Sequence, residues 1–349
     1  MPASETVNER YFGPGYSPHQ LVDDNDAPAH STHTERIGIN QSEPPKCLSD
    51  GSVNVSLEDG TELNLEVVST GKLDGWPIFD MHGTPGSAKG PSLSHIDLYR
   101  MGIHRIGISR PGCGDSQPRH EGRTIADCAA YVKAVAQVYG ITKASIAGRG
   151  GGGPGALACA ALLPDLIVNA AVFSCMAPRE GMKDWFTGMS EANREAYGAT
   201  PDKLEKLMAN LAPVALASQT NIYATFEQDV EPHMSEADRR YLEGHPGIRR
   251  QMALGHADCR AEGRYDDIIA AGSPWGFSTK DITRPVFLVH GREDRFSPPS
   301  HFWQLCADVR GSGGGAQYEE GFGQFETYKL IAPYFKRLRR QAVELGYTG

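Results

Sequence analysis

Residues 143–164 decide how this chain is read: Lys143-Ala-Ser-Ile-Ala-Gly148-Arg149-Gly150-Gly151-Gly152-Gly153-Pro154, then Gly-Ala-Leu-Ala-Cys-Ala-Ala-Leu-Leu-Pro164. A short apolar run enters a glycine turn, and a small-residue segment with helical character leaves it. A strained strand-to-helix turn of this kind presents a serine hydroxyl in the pattern G-x-S-x-G. Here the central position is Gly150, which has no side chain.

The flanking sequence repeats the strand-then-helix rhythm. Val53–Leu57 and Leu63–Val68 alternate around Asp59-Gly60, a hairpin signal. Pro77–Met81, Arg105–Ser109, Val168–Ser174 and Val286–His290 read as buried strands, and Thr124–Tyr139 carries helical spacing that stops at Gly140. The alternation predicts an α/β fold with a mostly parallel sheet covered on both faces. From residue 178 to about 275 the pattern changes. Met182–Tyr197, Pro201–Leu216 and Ser235–Tyr241 look helical with no buried strand among them, which predicts an inserted helical cap. The expected organisation is a flexible arm over 1–49, a core over 50–177 and 276–349, and a cap over 178–275. In the arm, Tyr11-Phe12-Gly-Pro-Gly-Tyr16 is either an anchor to the body or part of a disordered leader.

Composition narrows the function classes. The 349 residues bury a large core. A formal charge of −9 argues against a nucleic-acid footprint, and the one basic cluster, Lys336-Arg337-Leu-Arg339-Arg340, reads as the solvated face of a C-terminal helix. No apolar stretch approaches the roughly 18 residues of a membrane span, and Met1-Pro-Ala-Ser-Glu-Thr lacks the start of a secretory signal. The cysteines (Cys47, Cys113, Cys128, Cys159, Cys175, Cys259 and Cys306) are scattered, without metal-site spacing, and read as reduced thiols of a cytoplasmic protein. The partner expected is a small molecule, with no metal or other cofactor and with the oligomeric state left open.

Four motifs in order, His82-Gly-Thr-Pro-Gly86, Ser109-Arg-Pro-Gly-Cys-Gly-Asp-Ser116, the Gly148–Gly153 turn and His290-Gly-Arg-Glu-Asp294-Arg-Phe-Ser-Pro298, resemble the α/β-hydrolase superfamily. The likeness is to its H-G-x-P-G group with a helical cap, which includes esterases, epoxide hydrolases and proline iminopeptidase-like proteins, and it covers roughly residues 50–345. It implies a serine, an acid and a histidine in that chain order, with two backbone oxyanion donors. Asp294 matches the acid, and the N–H groups of Thr84 and Gly151 match the donors. The serine position is Gly150. The histidine position, in Glu320-Gly-Phe-Gly323-Gln324-Phe325, is Gln324, and the last histidine of the chain is His301. A glycine and a glutamine supply neither nucleophile nor base, which argues against ordinary Ser-His-Asp hydrolysis.

The remaining candidates each carry two readings. Asp294 is either a general acid or base facing an apolar pocket or a leftover acid bonded to Gln324 or to backbone. His82 is either catalytic or a holder of the oxyanion loop. Arg149 is either a cation over the pocket or a surface arginine on the turn. Cys175 is either a replacement nucleophile or a small core residue. Trp185, Phe186, Met189 and Asn193 read as pocket lining and cap core. Gly148-x-Gly150-x-x-Gly153 also fits a dinucleotide fingerprint, against which the ordered flanking motifs weigh. Three functions follow: a cofactor-independent, non-hydrolytic enzyme acting on a small carbonyl compound by cyclisation, elimination or isomerisation; a noncatalytic ligand-binding or partner protein; and a hydrolase using water activated by Asp294 or the Cys175 thiol. A missing serine side chain also leads one to expect room for a bulky ligand above Gly150.

Overall fold

The computed structural model describes residues 51–57, 59–199 and 203–347. The expected arm, with its Tyr11–Tyr16 segment, lies outside the described residues. The strands are β1 (Gly51–Ser56), β2 (Glu62–Gly71), β3 (Trp76–Met81), β4 (Ile103–Ile108), β5 (Ala144–Arg149), β6 (Ile167–Phe173), β7 (Val286–Gly291) and β8 (Gly315–Glu319). They form one eight-stranded sheet in the order β1-β2-β4-β3-β5-β6-β7-β8. β1 and β2 pair antiparallel, as do β2 and β4, and every pairing from β4 onward across the sheet is parallel.

Burial on both faces explains why the central strands read as apolar runs. In β3, Trp76 and Ile78 pack with helices α1 (His95–Arg100) and α11 (Ile331–Glu344), while Phe79 and Met81 face α2 (Asp127–Tyr139) and α3 (Gly153–Leu162). The chain runs from β3 to β4 on one side and later to β5 on the other, so β3 is the switch point of the sheet. Ligand crevices open at the carboxyl ends of strands beside such a point. The two segments that leave there are the 82–91 loop after β3 and the glycine turn after β5.

Between β6 and β7 the described residues hold no strand. They hold helices α4 (Glu191–Tyr197), α5 (Leu204–Ala217), α6 (Ala224–Asp229), α7 (Glu236–Gly244), α8 (Pro246–Ala257) and α9 (Ala261–Gly272); α10 (Pro299–Asp308) follows β7. The helix expected over 182–197 is shorter, because Gly181 and Gly188 both sit at φ +81 and turn the chain before Ser190 caps α4. Helices α6, α8 and α9 and strand β8 were not anticipated. Among the described residues no helix is long and apolar enough to cross a membrane.

The reduced-thiol reading is corrected at one pair. Cys113 and Cys259 form a disulfide between the 109–116 loop and the segment joining α8 to α9, leaving Cys128, Cys159, Cys175 and Cys306 free and buried. A wholly reduced cysteine set therefore no longer supports a cytoplasmic address.

Candidate active site

β5 delivers its last residue into a turn in which Gly150 holds φ +50. This left-handed conformation suits glycine and strains other residues. The site is shaped by what approaches that residue. A Cβ built on Gly150 would lie 3.1 Å from Nε2 of Gln324, so the glutamine amide caps the space a nucleophile would start from. The expectation of room for a bulky ligand is corrected accordingly. The cavity beside Gly150 measures about 60 Å³. A buried water occupies about 10–15 Å³ on this measure, so it holds the space of a few waters.

The oxyanion loop lies against the turn. A Cβ on Gly151 would fall 3.0 Å from the backbone nitrogen of Thr84, which places the two segments in direct apposition. The N–H of Thr84 donates to no acceptor among the described residues. The Thr84 hydroxyl donates to Oδ2 of Asp267 on α9 (2.7 Å) and accepts from Arg110. Its loop is thereby tied to the cap.

His82 lines the cavity, but its ring is committed to the loop. Nε2 accepts the N–H of Arg110 at 3.0 Å and Nδ1 lies 2.8 Å from the carbonyl of Gly83, an arrangement that puts the proton on Nδ1. Burial, with the Arg110 guanidinium beside it, holds its pKa well below the ordinary histidine range. Both ring nitrogens are therefore engaged by the loop and by the start of the 110–116 segment.

Arg149 lines the cavity with its guanidinium engaged by neighbouring groups. The strand period puts Ser145, Ala147 and Arg149 on the α11 side, where Arg149 meets Asp80 (2.9 Å), the carbonyl of Pro91 and the ring of Tyr328. Asp80 also binds Arg105 at 2.6 Å; burial works to raise its pKa, yet Arg149 and Arg105 together keep it below the ordinary carboxyl value. Arg149 thus lines the cavity as expected, is buried rather than on the surface, and has its guanidinium in an ion pair with Asp80.

Asp294 is buried behind the cavity and does not line it. Oδ1 accepts the N–H groups of Phe296 (2.8 Å) and Ser297 (2.9 Å), and Oδ2 has no hydrogen-bond partner. Burial, reinforced by the Asp238 carboxylate, pushes its pKa well above the ordinary range. The backbone-bonded alternative is the one that matches.

Several expected pocket residues lie elsewhere. Cys175 is buried against Gly153, its thiol pushed well up by burial, and it does not reach the cavity. Trp185 donates to the carbonyl of Ala177 and packs edge-on with Phe186, Tyr197 and His301; with Met189 it belongs to the core, and none of Trp185, Phe186 and Met189 lines the cavity. Asn193 bonds the carbonyl of Phe296. Gly181 and Gly188 break the helical spacing that had put these side chains on one face.

Ser174 and His256 take lining positions, and Asp238 holds the loop beside them without lining the cavity. Ser174, at the end of β6, is the one non-glycine residue at positive φ among the described residues (φ 50), and its hydroxyl lies 3.5 Å from that of Thr327. Asp238 of α7 accepts the backbone N–H of Gln324 (3.2 Å) and of Phe325 (2.6 Å), fixing the loop that carries the glutamine. His256 of α8 reaches the cavity from the cap. No sequence signal marks these three, since each depends on where a cap helix or strand end comes to rest.

No family model matches the chain. It is similar to the proline iminopeptidase of Neisseria gonorrhoeae, 25% identical over 258 residues that make up 68% of this chain and 79% of the relative. The proline iminopeptidase of Neisseria meningitidis is 26% identical over 259 residues, with the same shares. Among solved structures, a thermophilic esterase from Thermogutta terrifontis matches with a TM-score of 0.59 at 16% identity, over 84% of this chain and 98% of the esterase. An enol-lactonase from Burkholderia xenovorans matches with a TM-score of 0.58 at 16% identity, over 83% and 99%. The chain has the α/β-hydrolase fold, and its neighbours include a proline iminopeptidase, an esterase and an enol-lactonase.

Proposed function

We propose that this protein is a non-hydrolytic enzyme that polarises a small carbonyl compound, promoting isomerisation, elimination or cyclisation without a covalent acyl intermediate. The observation that carries this reading is at the turn: Gly150 keeps the φ of +50 of a nucleophile-bearing residue, while the Gln324 amide sits 3.1 Å from where its Cβ would be. Relative to the Ser-His-Asp pattern, both the attacking group and its base are replaced. The Thr84 N–H beside Gly151 supports the positive half of the proposal. Main-chain donors survive side-chain change, and donors aimed at a developing oxyanion supply about 3–4 kcal/mol each without covalent chemistry. Such a reaction needs only a base and oxyanion donors, so it requires no added cofactor. The 60 Å³ cavity limits the reacting end to a few heavy atoms.

The test is a pair of assays on the purified protein. A fluorophosphonate probe should leave it unlabelled, and proton NMR in D2O should show deuterium entering the α-carbon of small ketones such as butanone or pent-4-en-2-one. Labelling by the probe, or hydrolysis of p-nitrophenyl acetate above the buffer rate, would overturn the reading.

A further inference from the structure

Four titratable side chains line the cavity: His82, Arg149, Tyr328 and His256. The first has both ring nitrogens engaged by Gly83 and Arg110, and the second is paired with Asp80. Tyr328 lies under the Arg149 guanidinium, with its centroid 5.3 Å away. Nδ1 of His256 is buried without a hydrogen-bond partner, and its ring rests tilted against Phe226 at 5.6 Å. Nε of Arg149 is also buried without a hydrogen-bond partner, but its guanidinium is in an ion pair, whereas His256 is in none among the described residues.

The backbone explains why a cap residue arrives here. A Cβ on Gly255 would lie 2.9 Å from the Cα of Gly90, so the glycine lets α8 touch the oxyanion loop and seats the next residue, His256, at the same cavity.

We propose that His256 is the acid–base group of this pocket, removing a proton from the carbon beside a substrate carbonyl whose oxygen the Thr84 and Gly151 N–H groups hold. The proposal rests on the reading of the pocket as a carbonyl-processing site. In the forward step the α C–H bond breaks, its electron pair forms a C=C bond, and the carbonyl π pair moves onto oxygen as an enolate. The proton resides on the imidazole. It then returns to a different carbon as the carbonyl re-forms, so an allylic ketone isomerises with atoms and electrons balanced and no co-reactant. The substrate class is a small carbonyl compound with an acidic α C–H and an adjacent double bond.

The ring is held unprotonated, its pKa lowered to about 3. Burial, with the Arg264 guanidinium adding to it, favours the neutral form, and Arg264 is itself paired with Asp229. A neutral imidazole is the state that a general base requires.

Pent-4-en-2-one in D2O provides the test. His256→Gln should lower α-deuteration by at least about 100-fold, the range for loss of a positioned base, while the Kd of acetohydroxamate, an enolate mimic, changes by less than about 3-fold. Imidazole should restore part of the rate in His256→Ala. A His256→Gln rate within about 3-fold of an active wild type overturns the assignment and leaves the proposed function standing. If wild type deuterates no ketone, the proposed function falls instead. His256 is then judged on the unmutated protein by nitrogen-15 NMR of its labelled histidines. Acetohydroxamate should shift the His256 ring resonances, and unmoved resonances overturn the assignment.

Discussion

Asp294 sits where ionising is expensive. One carboxyl oxygen takes two backbone N–H groups, the other has no hydrogen-bond partner, and the Asp238 carboxylate is a further source of repulsion. With its folded pKa raised well above the unfolded value, the folded state holds the proton more tightly than the unfolded chain does. Stability is then lost as pH rises above about 3.9, the ordinary aspartate value, until the folded carboxyl itself ionises. Asp294→Asn keeps an acceptor for the two N–H groups and removes the ionisation. It should therefore match wild type near pH 4 and exceed it by an amount on the order of 1 kcal/mol at pH 8. Urea unfolding at the two pH values measures this. A variant less stable than wild type at pH 8 would mean that the carboxylate is stabilised by something other than those two N–H groups.

The loop between β8 and α11 is an element held from outside. Asp238 of α7 binds the N–H groups of Gln324 and Phe325, and Ser235 caps α7 while bonding the same carboxylate at 2.9 Å. Gly323 makes this possible, because a Cβ there would run into the Asp238 carboxyl and the Ser235 hydroxyl. Both are short side chains already pinned by hydrogen bonds, so neither can move aside cheaply. Gly323→Ala should cost about 1–3 kcal/mol, the range for overpacking a closed site. It should also weaken acetohydroxamate binding by displacing Gln324, whereas the same change at exposed Gly311, where a Cβ meets nothing and the backbone is not left-handed, should leave binding alone. Equal effects at the two glycines would remove the loop from the site. The contrast explains what could be read from the chain. The parallel strands, the glycine turn, Gln324 and the 82–86 loop lie within continuous apolar runs and local motifs. Asp238 and His256 lie on short cap helices whose chemistry appears only when α7 and α8 dock. Trp185 and Met189 take the core half of their expected place and not the pocket half, because glycines that turn the chain break the regular apolar spacing.

At the scale of the molecule, cap and core meet through buried charge. Asp267 of α9 takes two bonds from Arg110 (2.8 and 2.6 Å), one from Arg123 and one from the Thr84 hydroxyl. Burial alone would raise its pKa, but Arg110 and Arg123 outweigh it, and the carboxyl stays below its ordinary value. Neighbouring Asp266 binds Arg119 through both oxygens, so consecutive carboxylates of one cap helix clamp the 109–124 segment of the core. Buried pairs of this kind contribute little net stability when intact, but removing one partner strands the other charge, at about 3–5 kcal/mol. Asp267→Asn leaves two buried guanidinium groups short of a counter-charge and should lose stability in that range near pH 7. Because the folded pKa is depressed, the contribution is present above about pH 4 and is lost as pH falls through the folded value, so the gap from wild type should narrow in acid. The same carboxylate fixes Thr84, so acetohydroxamate affinity should fall together with stability. A variant that loses stability yet binds the mimic with wild-type affinity would show that the oxyanion donors are held by the core alone, through His82 and the Gly83 carbonyl. A joint loss would instead make the cap's docking a condition for the pocket, which is what a base supplied by α8 requires.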